Sequence, residues 1–358
     1  MQKNPAAEEV IRRLNDYYDA DSAIEEELRT IEHAQEQRNR VSLRSPSLSG
    51  LPGGEVYEEE GGEVNTELEK KAIDRMRAFE PESEPYYLCY SGGKDSDAIR
   101  ILADLAGVKH DIVHNLTTAD APETVRYVRS VQGVQIDRPE KSMWRLIEEK
   151  MVPPTRLMRY CCAELKERGG VGRLKITGVR WAESPRRREA AGVIKIIGKP
   201  KLVQKLADEA VAEHRITKQG GLIMNMDNDG ERRVVEQCYR TTSTMVNPII
   251  EWTDADVWDF LRYYGCKSNP LYECGMRRIG CIGCTLGGYA AMKRDFSRWP
   301  AYKKMYIKAF DRMMAARRAN GKDSSSGTWK DGESVFRWWI GDDPAQLRFE
   351  DLIDGGVV

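Results

Sequence analysis

The chain has 358 residues, 41% hydrophobic and 32% charged, with a formal charge of −1 at neutral pH and a mean hydropathy of −0.60, which allows one large core or two ordinary domains. No apolar run approaches the length of a membrane span, and the opening MQKNPAAEEVIRRL lacks the apolar core of a secretion signal, so a cytoplasmic protein without membrane contact is expected. A near-neutral balance confines any nucleic-acid contact to a local patch.

Residues 5 to 40 read as acidic and helical. Val10, Leu14, Tyr17, Ile24, Leu28 and Ile31 keep helical spacing, interrupted at Asp21, where Ser22 and Glu25 suit a capping box. Residues 1–42 are therefore expected to form an arm of two helices. Its apolar stripe either packs on the chain's own core or serves as a homodimer seam or a dock for a partner protein. Residues 43–66, rich in Pro, Gly, Ser and Glu, read as a flexible linker.

From 67 to 290 strands and helices alternate. A helix from about 67, a strand at 86–90, a helix at 96–106 and the strand HDIVHNL come first. A helix from Pro122, a short strand near Val134, and strands within LKITGV and MVNPII follow. That alternation predicts an α/β fold: a doubly wound, mostly parallel sheet covered on both faces. Residues 195–245 fit the pattern poorly and read as an insertion. Residues 291–358 read as a basic helical extension, and one long helix is expected from Tyr289 to Arg318.

The first strand runs into Ser91, Gly92, Gly93, Lys94, Asp95 and Ser96. A glycine turn between a strand and a helix gathers backbone N–H groups and a helix N-terminus around one point, which favours an anion, usually phosphate. The spacing is not that of a Walker loop. Ser91 and Ser96 supply hydroxyls, Lys94 a neutralising charge, and Asp95 either orients the loop or holds Mg2+. Downstream, GVRWAESPRRR places Arg180 directly after a strand, with Glu183 and Arg187 close behind. Guanidinium groups grip phosphate or sulfate bidentately; the plainer reading of Arg180 is an ion pair with a carboxylate at the core edge.

The S-G-G-x-D-S pattern resembles the pyrophosphate loop of the adenine nucleotide alpha-hydrolase superfamily. RYCCAELKE (159–167), GVRWAESPRRR (178–188), NPIIEWTDADVWDFL (247–261) and TTADAPETVRYV (117–128) resemble, in content and order, the phosphoadenosine phosphosulfate (PAPS) reductase family. The resemblance spans about residues 80 to 290. It implies a nucleotide ligand, either ATP or a sulfonucleotide such as PAPS or adenosine phosphosulfate (APS). Lys94, Asp95 and Arg180 are then the expected catalytic set, bound to nucleotide together with Ser91, Gly92, Gly93, Ser96, Glu183 and Arg187.

Five of the eight cysteines form the second signal: Cys161, Cys162, Cys274, Cys281 and Cys284. Four thiolates suit zinc or an iron–sulfur cluster. The tandem pair with a distant C-x-x-C resembles the cluster-binding sulfonucleotide reductases, which implies a [4Fe–4S] cluster, with zinc as the alternative. The spacing of Cys274, Cys281 and Cys284 is similar to that in the ATP pyrophosphatases of DNA phosphorothioation, which implies a fourth ligand at Cys161. Five cysteines thus compete for four places, Cys162 and Cys274 being the open ones. Cys89, Cys238 and Cys266 read as unliganded buried thiols.

The reductases' C-terminal Glu-Cys-Gly-Leu-His motif is missing, because no cysteine follows Cys284. An enzyme that adenylates a substrate with ATP for sulfur incorporation is therefore expected. A reductase using Cys274, or a non-catalytic nucleotide-binding partner module, are the alternatives. Residues 293–322 hold ten Lys or Arg against Asp295 and Asp311, interleaved with Trp299, Tyr302, Tyr306 and Phe310. This suits nucleic acid, unless the aromatics pack inward.

Overall fold

The computed structural model describes residues 65–210, 213–226, 228–322 and 329–343. The expected arm, and all but the end of the linker, lie outside them. Helix α1 (Thr66–Ala78) is capped by the Asn65 side chain, which accepts from the Leu68 amide at 3.2 Å. The parallel half of the fold is β1 (Tyr86–Cys89), α2 (Lys94–Ala106), β2 (His110–Asn115), α3 (Pro122–Ser130), β3 (Val134–Asp137), α4 (Met143–Lys150) and β4 (Lys175–Ile176). Apolar runs bounded by glycine or proline make these strands, and Pro at the start of α3 is pre-set for a helix's first turn.

Beyond β4 the chain forms α5 (Pro185–Ala190), β5 (Ile194–Ile197), α6 (Pro200–Glu209), β6 (His214–Ile216), β7 (Leu222–Met224), α7 (Asp229–Cys238), β8 (Ser243–Val246) and α8 (Asp254–Tyr263). All eight strands join one sheet in the order β3-β2-β1-β4-β8-β5-β7-β6. Pairing is parallel from β3 to β8 and antiparallel from β8 to β6. The α/β expectation holds, with a correction: residues 195–245 are no loose insertion but supply three antiparallel strands that widen the sheet. Their apolar residues alternate too briefly to announce a strand, and burial against β8 supplies what propensity does not. Strand order reverses between β1 and β4, and crevices at such switch points are where ligands bind in open α/β sheets.

The expected helix from Tyr289 to Arg318 is two, α9 (Tyr289–Arg298) and α10 (Pro300–Ala319), followed by α11 (Gly332–Trp339). Pro300 has no amide hydrogen to continue α9, so the chain turns at Trp299 and a new helix starts at the proline. These helices pack on α4 around a second core, separate from the sheet core, that contains Trp144, Phe296, Trp299, Tyr302, Tyr306, Phe310 and Trp339. The aromatics of the basic tail are therefore interior, the second of the two readings that the sequence left open. Among the described residues no helix is long and apolar enough to cross a membrane.

Candidate functional site

The loop after β1 sits at the switch point. Gly92 has φ +74°, and a β-carbon there would stand 2.7 Å from a methyl of Val128, so the turn is closed to any larger residue. Gly93 caps α2. The Ser96 hydroxyl accepts from the Gly93 amide at 3.1 Å and donates to its carbonyl at 2.7 Å, while Ser91 donates to Ser96 at 3.3 Å. Gly178, at the end of β4, lies against the loop: a β-carbon there would be 2.8 Å from the Asp95 carbonyl oxygen. That close approach brings Arg180 onto the loop.

Lys94, Asp95 and Arg180 come together as expected, joined by a residue that sequence reading passed over, Asp254 at the start of α8. Arg180 is 1% exposed. Its Nε donates to Asp95 at 2.7 Å, its second nitrogen to the Trp252 carbonyl at 3.2 Å, and its third to Asp254. The Lys94 ammonium lies 3.2 Å from both Asp95 and Asp254. Burial alone raises the Asp254 carboxyl, but Arg180 and Lys94 outweigh it and hold the group below the usual carboxylate range. Arg180 is thus held between two carboxylates, and the ion-pair reading describes its state here. Glu183 accepts from the Arg180 amide at 3.1 Å and lies 3.7 Å from Arg187, which is half exposed at the rim.

A cavity of about 170 Å³ opens beside Ser91 and extends past His114, Thr117 and Asp120 to Lys166 and Ile279. Cys161, Cys162, Cys281 and Cys284 all line one smaller adjoining cavity, together with Lys166 and Thr117, whereas Cys274 does not. Cys274 is exposed and accepts from Arg298 at 3.4 Å. Four of the five candidates, the tandem pair and the C-x-x-C, thus share one cavity, and Cys274 stands apart from them. Cys89, Cys238 and Cys266 stand outside that cavity; the buried Cys238 lies 3.8 Å from the Thr244 hydroxyl.

Cys162 is prepared for negative charge, whereas burial pushes the Cys281 thiol up. Cys161 and Cys162 share a hydrogen bond that raises the first and lowers the second, with Arg159 and Lys166 further favouring a Cys162 thiolate. Lys166 is itself held protonated, chiefly by Cys281 and also by Asp120. No three His, Cys, Asp or Glu side chains among the described residues close on a single-ion site. The donor set, four thiols with Lys166 beside them, is of the kind that either zinc or an iron–sulfur cluster takes.

The second core fixes this site. The Tyr306 hydroxyl donates to the Ile282 carbonyl at 3.0 Å and Tyr302 to the Asp120 carbonyl at 2.8 Å. Asp120 and Cys281 form an isolated antiparallel bridge, and Trp299 donates to Glu123 at 3.1 Å. The aromatics that looked like base-stacking groups thus clamp the cysteine motif to the end of β2. Asp254, Lys166 and Tyr272, which touches the loop, carried no sequence signal beyond lying inside matching stretches.

An uncharacterised protein of Escherichia phage 186 is 36% identical over 75 residues, 20% of this chain and 22% of that one. An uncharacterised protein of Methanocaldococcus jannaschii is 24% identical over 248 residues, 66% of this chain and 45% of that one. An adenosine 5'-phosphosulfate reductase of Bacillus thuringiensis is 37% identical over 68 residues, 19% of this chain and 29% of that one. The chain thus spans less than half the length of each of these relatives. A crystal structure of PAPS reductase from Candida auris, in complex with phosphate, aligns at a TM-score of 0.38 and 16% identity, over 62% of this chain and 95% of that one. The phosphoadenosine phosphosulfate reductase domain matches residues 85–287, from the start of β1 to the end of the C-x-x-C motif. With more than half of its length so matched, the chain belongs to the PAPS reductase family, whose members bind a nucleotide substrate.

Proposed function

We propose that the chain is an adenylating ATP pyrophosphatase that activates a substrate for sulfur incorporation. The observation that carries this reading is the anion loop, with Lys94 and Arg180 behind it, beside a cavity that shares Thr117 and Lys166 with the one the four thiols line. A substrate oxygen attacks the alpha phosphorus; the new O–P bond forms as the bond to pyrophosphate breaks. A sulfur donor then attacks the adenylated atom, and AMP leaves with the oxygen. The loop amides, Lys94 and Arg180 stabilise charge developing on the departing phosphates, and Mg2+, if bound, would supply further charge neutralisation there. Asp95 becomes available to Mg2+ only by exchanging its contacts with Lys94 and Arg180.

Cys161, Cys162, Cys281 and Cys284 would hold a [4Fe–4S] cluster, which when bound would supply electrons or hold sulfur. Lys166 offsets the negative charge of the thiolates at the boundary of the two cavities. Anaerobically purified protein should contain iron and absorb in the visible; Cys284→Ser should lose that absorbance and Cys274→Ser should keep it. The reverse pattern contradicts the ligand assignment.

A second reading, a sulfonucleotide reductase with Cys274 as nucleophile, is favoured by the exposure of that thiol beside Arg298. Equilibrium binding of ATP, APS and PAPS with Mg2+ separates the two. Preference for ATP supports adenylation, and preference for APS or PAPS supports the reductase.

A further inference from the structure

The amide of Lys94 is the first N–H of α2 and so the donor that a phosphate at this loop takes before others. Here it is occupied. The Tyr272 hydroxyl accepts from it at 2.9 Å, and the same oxygen lies 3.2 Å from where a Gly93 β-carbon would be. The phenol therefore stands over the mouth of the glycine turn. Its ring is held edge-on against Trp258, centroids 5.0 Å apart at 89°. Burial, with Asp95, Asp97 and Asp254 nearby, raises its pKa, so the hydroxyl stays neutral.

The segment carrying Tyr272 is anchored in the core on its N-terminal side and exposed on the other, where the Gly275 and Met276 amides donate to the Tyr272 and Leu271 carbonyls at 2.9 and 3.2 Å. Asn269, fully buried, donates to the Gly92 carbonyl at 3.1 Å and to Thr124 at 3.2 Å, and Leu271 is buried beside it. Past Tyr272 the chain turns through the exposed residues Glu273, Cys274 and Gly275. Gly275, at φ +81°, has nothing within 4 Å of where a side chain would begin. Seven residues after Cys274 the chain reaches Cys281. The loop's other donors are satisfied internally as well: the Gly93 amide by Ser96, and the Lys94 ammonium by Asp95 and Asp254.

We propose that Tyr272 is the gate of the anion site: its hydroxyl substitutes for a phosphate oxygen on the Lys94 amide, and incoming phosphate displaces it. The ring then swings on the Asn269 anchor and carries Cys274 with it, away from Arg298. Phosphate binding is thereby communicated to the segment that leads into the cysteine motif. This gate rests on the nucleotide reading of the loop.

The test is calorimetric titration of pyrophosphate and of ATP into the wild-type protein and Tyr272→Phe, with thermal unfolding to confirm that the variant folds. Removing the hydroxyl frees the amide while keeping the ring. The variant should bind pyrophosphate about three- to tenfold more tightly, the worth of one hydrogen bond. Trp258→Phe, which loosens the ring and leaves the hydroxyl, should tighten binding by less. Alkylation of Cys274 by iodoacetamide should change rate on adding pyrophosphate to the wild type and hardly change in Tyr272→Phe. Equal or weaker binding by Tyr272→Phe, with the wild type binding normally, overturns the gate and leaves the nucleotide site standing. If neither protein binds pyrophosphate or ATP, the nucleotide site falls and the gate with it.

Discussion

Asp97 is fully buried beneath the glycine turn, where the Tyr90 hydroxyl donates to it at 2.6 Å. Burial raises its pKa to about 6, although hydrogen bonds from Tyr90 and Tyr127 pull it down. An ordinary aspartate titrates near 3.9, so the folded state holds this proton more tightly than the unfolded chain. The stability it adds is complete below pH 4 and is lost as pH rises through about 6, a swing of up to about 3 kcal/mol. Asp97→Asn removes the ionisation and keeps the acceptor. Its melting temperature relative to wild type should therefore be higher at pH 8 than at pH 4; a difference independent of pH would show that Asp97 stays charged. Lys94, Asp95 and Arg180 were legible in the sequence because they lie in short motifs beside a strand end. Their partner Asp254 was not, since it stands 74 residues from Arg180 and meets it only when β4 packs beside β8.

Among elements, the turn between β1 and α2 was the most legible, since adjacent glycines after an apolar run have few other uses. Gly92→Ala forces a side chain into a positive-φ conformation and onto Val128. It should cost about 2–4 kcal/mol in chemical denaturation and abolish nucleotide binding. A variant of wild-type stability would mean that the turn is not held in this form. The aromatics of helix α10 stayed open between two readings because interleaved basic and aromatic residues look alike whether the rings face solvent or core. Periodicity gives the stripe, not what covers it. Tyr306→Phe strands the Ile282 carbonyl beside the C-x-x-C and should destabilise the fold by about 1–3 kcal/mol. No loss would mean that the clamp on the cysteine motif lies elsewhere.

At the scale of the whole molecule, two cores meet along the line that joins loop to thiols. The alternation of strands and helices disclosed the sheet, but not that its far half runs antiparallel or that the C-terminal helices complete the site. Those features depend on contacts between distant segments. Several tail cations are paired: Lys293 with Asp342, Lys303 with Glu333, Arg298 with Glu123 and Arg312 with Glu148. Arg294, Lys304, Lys308, Arg318 and Lys322 remain exposed. A nucleic-acid contact here would rest on these charges and no rings, so affinity should fall with salt with a slope no steeper than about −4 to −5 on logarithmic axes. A slope near −8 would restore the whole basic tail as the contact.

The loop's role as the nucleotide site underlies all of these functional statements. The direct measurement is ATP binding with Mg2+ by wild type and Lys94→Ala, each checked for folding. Lys94 lies behind the turn, paired with Asp95 and Asp254; on the proposed reading its charge offsets that of the phosphates, so its removal should weaken binding at least about tenfold, as expected for losing a charge-assisted contact. Undiminished binding by a folded Lys94→Ala would place the nucleotide elsewhere and contradict the assignment of the site.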